Sequence, residues 1–153
     1  MKIRVGQKKD AHDISKMLLM LTEKFIAVGF SEAGSKSMRD SMKPEAILSY
    51  MELGYRYHVA EIAGKIMGAV ATRENTHLYH LFIEESHQGK GYARALWEVA
   101  KAACIAAGND KYFTVNSSLN AQDVYKSWGF TPISGIRETN GVKDMPMKLE
   151  LSA

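Results

Sequence analysis

The sequence predicts an α+β fold (mixed α/β): a central, twisted, mostly antiparallel sheet of about seven strands flanked by about four helices. Three observations carry this expectation. Short stretches rich in β-branched and aromatic residues, bounded by glycine or polar turns, recur from Lys2 to Leu151. Between them apolar residues repeat at helical spacing, at Ile14, Met17, Leu18 and Leu21 and again at Leu96, Val99, Ala100 and Ala103. The middle strands follow one another through tight turns, which only antiparallel neighbours can use.

Composition bounds the rest. A chain of 153 residues, 46% hydrophobic and 24% charged, is long enough for one real core, so a single domain over residues 1–153 is expected. No apolar run reaches the ~20 residues of a membrane span, and the N-terminus has no apolar leader. Cys104 is the lone cysteine, which excludes an internal disulfide and fits a cytoplasmic protein. Net charge is +3, with basic residues scattered rather than blocked, so neither nucleic acid nor a membrane is an expected partner. A mild positive balance suits a small polyanion equally well.

Taken in order, Lys2 to Gly6 reads as a short strand. A helix follows, N-capped by Asp10, with Ile14, Met17, Leu18, Leu21, Phe25 and Val28 as its buried stripe and Gly29 as its stop. Phe30 to Lys43 is polar, with Gly34 and several serines, and reads as a mobile loop. Pro44 suits the first position of a second helix, which Gly54 ends. Tyr55 to Ile62 and Lys65 to Thr72 are strands joined by a hairpin turn at Ala63-Gly64, and Gly68 marks a bulge or a close backbone approach. Strict alternation from His77 to Ile83 puts His77, Tyr79, Leu81 and Ile83 on one face and Leu78, His80 and Phe82 on the other.

Gln88-Gly89-Lys90-Gly91-Tyr92-Ala93 then opens a helix whose buried side carries Leu96, Val99 or Ala100, Ala103 and Ala107, with Trp97 and Cys104 as packed core residues. Lys111 to Asn116 is a strand, followed by a short helix through Ser127 and a stop at Gly129. Thr131 to Ile136 and Met145 to Leu151 are the last strands. Asn140-Gly141 marks a hairpin turn between them, and Pro146 a strand start or edge.

The glycine-rich turn carries the chemistry. A glycine turn feeding a helix leaves backbone N–H groups without helical partners, and the positive end of the helix dipole adds to them. Phosphate oxygens bind such a site. A Walker A loop needs Ser or Thr where Gly91 follows Lys90, and a dinucleotide-binding GxGxxG needs glycine where Arg94 stands. Gln88, Gly91 and Ala93 instead fit Gln/Arg-x-x-Gly-x-Gly/Ala, which resembles the pyrophosphate-binding motif of the GNAT superfamily of acetyl-CoA-dependent N-acetyltransferases. Asn120, Tyr125 and Gly129-Phe130 resemble the second GNAT signature, in the family's order. The resemblance covers nearly the whole chain and is weakest before Tyr55.

The resemblance implies a GNAT-like fold, acetyl-CoA as cosubstrate and a primary amine as acceptor, with direct transfer in a ternary complex. It implies that backbone groups of Leu81 and Ile83 pair with the pantetheine arm. Backbone N–H groups of Gln88, Gly89, Lys90, Gly91, Tyr92 and Ala93, with Arg94, would hold the pyrophosphate. Asn120 would contact the arm, and Tyr125 would reach the thioester sulfur as acid to the leaving thiolate, its alternative being a tyrosine that only packs. The helix–loop–helix after the first strand would cover the acceptor site.

A lysine-like amine with a pKa of ~10.4 is almost wholly protonated at neutral pH, so a base is needed. His77 occupies the strand position where family members often place Glu or His, and an unperturbed histidine titrates near ~6.5. Glu84 and Glu85 stay open as alternatives, as does a plain surface role for His77. No HExxH or CxxC occurs, and alternation separates His77 from His80, so no metal is expected. The acceptor is either a small-molecule amine or a peptide or protein amine, and assembly as a homodimer is compatible with the reading. The competing class is a catalytically idle fold that binds acyl-CoA as a sensor or interaction module.

Overall fold

Strands β2 (Arg56–Ile62), β3 (Lys65–Arg73) and β4 (His77–Ile83) form an antiparallel meander that frames the molecule. Its turns are left-handed pairs, Ala63-Gly64 and Glu74-Asn75, with φ from 51° to 78°, the hand that suits the right-handed twist of the flanking strands. The structure is a computed structural model and describes residues 1–26 and 29–151. Strand β1 (Lys2–Val5) joins β2 at the edge, and β5 (Tyr112–Ser117) lies parallel to β4 after a helical crossover. β8 (Val142–Glu150) runs antiparallel to β5 and carries β6 (Thr131–Pro132) and β7 (Arg137–Thr139) on its other side. The sheet has eight strands in the order β1-β2-β3-β4-β5-β8-β6, with β7 on β8.

The stretch expected as one strand from Thr131 to Ile136 is therefore only β6, and β7 is a separate strand. Pro146 explains the break. It sits inside β8, not at its start, where it has no N–H to offer, and the β6 and β7 registers on β8 end at Met147 and Asp144 on either side of it. Asn140 and Gly141 close the β7–β8 hairpin as expected, at φ 53° and 80°.

Helices cover both faces. α4 (Tyr92–Ala106) buries Leu96, Trp97, Ala100 and Cys104 against Val70, Leu78, Phe113 and Met147. The buried stripe is thus rotated by about one position from the expected one: Val99 is exposed and Trp97 takes the core, edge-on to Phe113 at 5.0 Å. On the other face, α1 (Ala11–Leu21) and α3 (Pro44–Glu52) pack Ile14, Leu18 and Ile47 over Tyr57, Val59 and Ala71. Asp10 does not cap α1. Its carboxylate accepts from the Gln7 N–H and from the Arg4 guanidinium, and a 3-10 turn, Lys8–Asp10, precedes the helix. The expected continuation of α1 becomes a widened π turn, Thr22–Ile26, and Val28 lies outside the described residues.

The segment read as a loop holds a helix, α2 (Glu32–Asp40). Ser31 caps it by accepting from the Gly34 N–H at 2.9 Å, and Lys36 pairs with Asp40 one turn on. Met38 is its one inward-facing large apolar residue, so periodicity could not reveal it. α5 (Gln122–Ser127) is the short helix expected before Gly129. Gly68 fulfils both expectations, a bulge opposite Ala60 and Glu61 and a backbone approached by Leu96 and Ile83. Among the described residues no helix is long and apolar enough to cross a membrane.

Candidate active site

The site begins where two parallel strands separate. β4 and β5 pair only at His77↔Thr114 and Leu78↔Val115, although each strand continues beyond. The cause is a bulge at Tyr79: Ala71 lies opposite His80, and Thr72 opposite Leu78. The bulge also overturns the expected face assignment. Leu78, Leu81 and Ile83 all join the α4-side core, while Tyr79, His80 and Phe82 turn to the α1–α3 side. His77 and His80 consequently share a face, contrary to strict alternation. Among the described residues no group of His, Cys, Asp or Glu is clustered well enough to hold a metal.

Beyond the split lies a cavity of about 390 Å³, walled by β4, by β5, by the end of α1 and by α2. Beyond Leu78 the main chain of β4 pairs with no strand on that side. The Glu84 N–H donates to the Met67 carbonyl in β3 at 2.8 Å, so alternation turns the Leu81 and Ile83 main-chain groups to the cleft. The Gln88 amide donates to the Ile83 carbonyl at 2.9 Å and ties the strand end to the turn that follows. The Gln88 side chain thus has a structural role of its own beside its backbone.

That turn forms an open cradle of a shape that could take an anion. Gly91 is the N-cap of α4 at φ 83°, and no side chain caps the helix. Ala95 donates to the Gly91 carbonyl, while no described hydrogen bond takes the N–H of any residue from Gly89 to Arg94. A Cβ at Gly89 or Gly91 would meet nothing within 4 Å, so the space over these amides is open. Free amides, an open concavity and the helix dipole fit a pyrophosphate.

The titratable groups sort by burial. His77 is 7% exposed, and its Nδ1 lies 2.7 Å from the Thr114 hydroxyl on β5. Burial, with the Arg73 and Arg137 charges, pushes its pKa down to about 4, well below the ordinary value assumed for a base. It is a neutral imidazole on the cavity wall, not a surface histidine. Tyr125, 7% exposed, borders the same cavity from α5, edge-on to Trp128 and Phe130. Burial raises its pKa, so it keeps its proton at neutral pH. Glu84 is committed elsewhere: hydrogen bonds from Ser86 and His87 hold its carboxyl down to about 2. Glu85 pairs with Lys24 at 2.6 Å, and neither glutamate borders the cavity.

Residues 26–151 match the family described as the acetyltransferase (GNAT) domain. The chain belongs to the GNAT acetyltransferase family. Among curated proteins none matches the chain in sequence. Solved structures share this GNAT domain's fold. An N-acetyltransferase from Rhodopseudomonas palustris superposes with a TM-score of 0.84 at 18% identity, covering 98% of this chain and 95% of that one. The PaiA N-acetyltransferase of Thermoplasma acidophilum, solved with coenzyme A, gives 0.73 at 18% identity, covering 98% and 99%. The yncA acetyltransferase of Salmonella typhimurium, solved with acetyl-CoA, gives 0.70 at 19% identity, covering 100% and 95%.

Within this GNAT domain the cavity brings together His77, Leu81, Ile83, Gln88, Asn120 and Tyr125 from the sequence-predicted set. Lys90 and Arg94 stay exposed outside it, at the cradle. Sequence reading missed several neighbours, among them three polar ones. Asn116 and Ser118 reach the cavity from the end of β5, and Asp144 reaches it from β8, hydrogen-bonded to Arg137 through both carboxylate oxygens. Nothing local marked them: Asn116 is one polar residue in a strand, and Asp144 meets the site only through the β5–β8 pairing.

Proposed function

We propose that the protein transfers the acetyl group of acetyl-CoA to a primary amine by direct attack in a ternary complex. One observation carries the reading: an unpaired edge of β4 runs from an open anion cradle to a buried, protonated tyrosine. The cradle amides from Gly89 to Arg94 hold the pyrophosphate, with Gln88 fixing the turn behind them. Leu81 and Ile83 offer main-chain groups to the pantetheine amides as a further strand would, and Asn120 borders the arm. That two structures of similar fold were solved with coenzyme A or acetyl-CoA supports the choice of donor.

The chemistry follows from the neighbours. The amine nitrogen attacks the thioester carbonyl, a C–N bond forms and the C–S bond breaks. Tyr125 gives its hydroxyl proton to the departing sulfur, and the proton lost by the amine restores it through solvent. His77, with a pKa of about 4, is too weak to deprotonate a free ammonium. In the tautomer whose Nδ1–H donates to the Thr114 hydroxyl, its Nε2 can accept a proton only after attack has made the nitrogen cationic and acidic. The amine must therefore arrive neutral, and kcat/KM should climb with pH from about 7 towards the amine's own pKa of ~10. Thiol release from acetyl-CoA, measured with and without an amine, tests the reading. Release that depends on amine supports it; tight acetyl-CoA binding with no amine-dependent release would make the protein a binding module.

A further inference from the structure

The geometry points to an acceptor that is a small monoamine with an apolar body, its amino group at His77 and its body against Phe25, Phe30, Met38, Met42 and Phe82. The inference rests on the acetyl-transfer reading and adds the substrate class. Helix-side residues of the cavity are mostly apolar: Phe25 from the π turn after α1, Phe30 before α2 and Phe82 from β4, with methionines from α2 and the turn after it, and Ser37 and Ser41 are the polar exceptions. Methionine side chains conform to apolar shapes of several kinds and offer little to a polar one.

Charge excludes the other common amines. Asp144 is the one carboxylate among the residues that line the cavity, and Arg137 takes both of its oxygens. Lys143 borders the same space, and Arg73 and Arg137 already act on His77. An acceptor with a second or third ammonium would bury it beside cations without a counter-charge, an expensive placement in a confined site. A single amine gains instead, because neighbouring cations favour the neutral form that must attack.

Size points the same way. About 390 Å³ must hold the end of the pantetheine arm as well as the acceptor. The roof is tied on both sides of the cleft: the Ser31 N–H donates to the Gly141 carbonyl at 3.3 Å, and Lys24 pairs with Glu85 at 2.6 Å. Gly34 and Gly141 meet backbone to backbone at this seam, where a Cβ at Gly34 would run into the Gly141 carbonyl. The remaining room beside the arm fits a body the size of a large side chain.

The test uses the intact protein with acetyl-CoA and reads CoA thiol release with 2-phenylethylamine, hexylamine, spermidine and kanamycin. The monoamines should exceed both polycations in kcat/KM by about 100-fold. Phe25→Ala should raise KM for 2-phenylethylamine by about 10-fold with the acetyl-CoA Kd unchanged. Met38→Asp, which places an unpaired carboxylate in the apolar wall, should shift preference towards spermidine. Polycations used as well as or better than the monoamines would overturn the acceptor class while leaving acetyl transfer standing. So would a monoamine KM untouched in both variants. Release with no amine at all would overturn the transfer reading and the acceptor class with it.

Discussion

Tyr125 holds its proton because burial disfavours the phenolate, and a protonated hydroxyl beside the cavity is what a departing thiolate requires. On the proposed mechanism that hydroxyl acts mainly in the transition state, so Tyr125→Phe should lower kcat by about 100-fold and leave the acetyl-CoA Kd nearly unchanged. Steady-state kcat and a calorimetric Kd decide the matter. An unaltered kcat, with chemistry rate-limiting, would return Tyr125 to a packing role. The histidines make a second prediction, about stability. His58, His77 and His80 are all displaced downwards by burial, His77 to about 4 and His80 to about 3, so His77 and His80 are neutral in the fold at pH 6. Unfolded, each protonates near ~6.5. As pH falls from about 6.5 towards 4 the unfolded chain binds more protons, so stability falls, by roughly 1.4 kcal/mol per pH unit for each fully displaced histidine. Asp10 and Glu84, held down by hydrogen bonds from Arg4 and Ser86, lose their contribution only below this window. His77→Gln should flatten the slope of urea-unfolding stability between about pH 6 and 5 by roughly one proton. A slope that the variant leaves intact would mean that His77 titrates normally. The motif residues were legible in the chain, whereas the depressed pKa of His77 was not, because it arises from burial and from Arg73 and Arg137.

At the scale of elements, the turn before α4 and the bulge in β4 decide the site between them. The turn was readable from Gln88 to Ala93, since positive φ at glycine and free helix N–H groups are local properties. Gly91→Asp tests it. At φ 83° a non-glycine residue costs about 1–2 kcal/mol, and the carboxylate would occupy the open space over the amides. Acetyl-CoA affinity should drop by at least about 100-fold, with the circular dichroism spectrum retained. Undiminished affinity by calorimetry would remove the cradle from the binding site. The bulge at Tyr79 was not readable, because an extra residue in one strand shows only against its partner, where Ala71 and Thr72 face His80 and Leu78. Missing it misassigned every side chain beyond Tyr79. α2 was hidden for another reason: it has a cap in Ser31 but a single large inward apolar residue in Met38, so its sequence is polar overall, and it leans on contacts with the β7–β8 hairpin.

Across the whole molecule the proposed donor site spans β4, the turn before α4, β5 and α5, so a ligand lodged there would bridge both halves of the sheet. Acetyl-CoA at about 100 times its Kd should stabilise the fold by roughly 2.7 kcal/mol, which raises Tm by roughly 5–10 °C in a chain of this size. A thermal scan showing no shift at that concentration would argue against donor binding in the cleft. What the sequence by itself determined is what local chemistry specifies: the strands and helices with strong periodicity, the hairpin turns at Ala63-Gly64 and Asn140-Gly141, the glycine turn and the family. Tertiary structure alone decided the rest. The split between β4 and β5, the burial that weakens His77 as a base, and the joining of Asp144 and Lys143 to Met38 and Phe25 in one cavity depend on residues far apart in the chain. Charge and apolarity at a site are sums over such neighbours, and no window of sequence contains them.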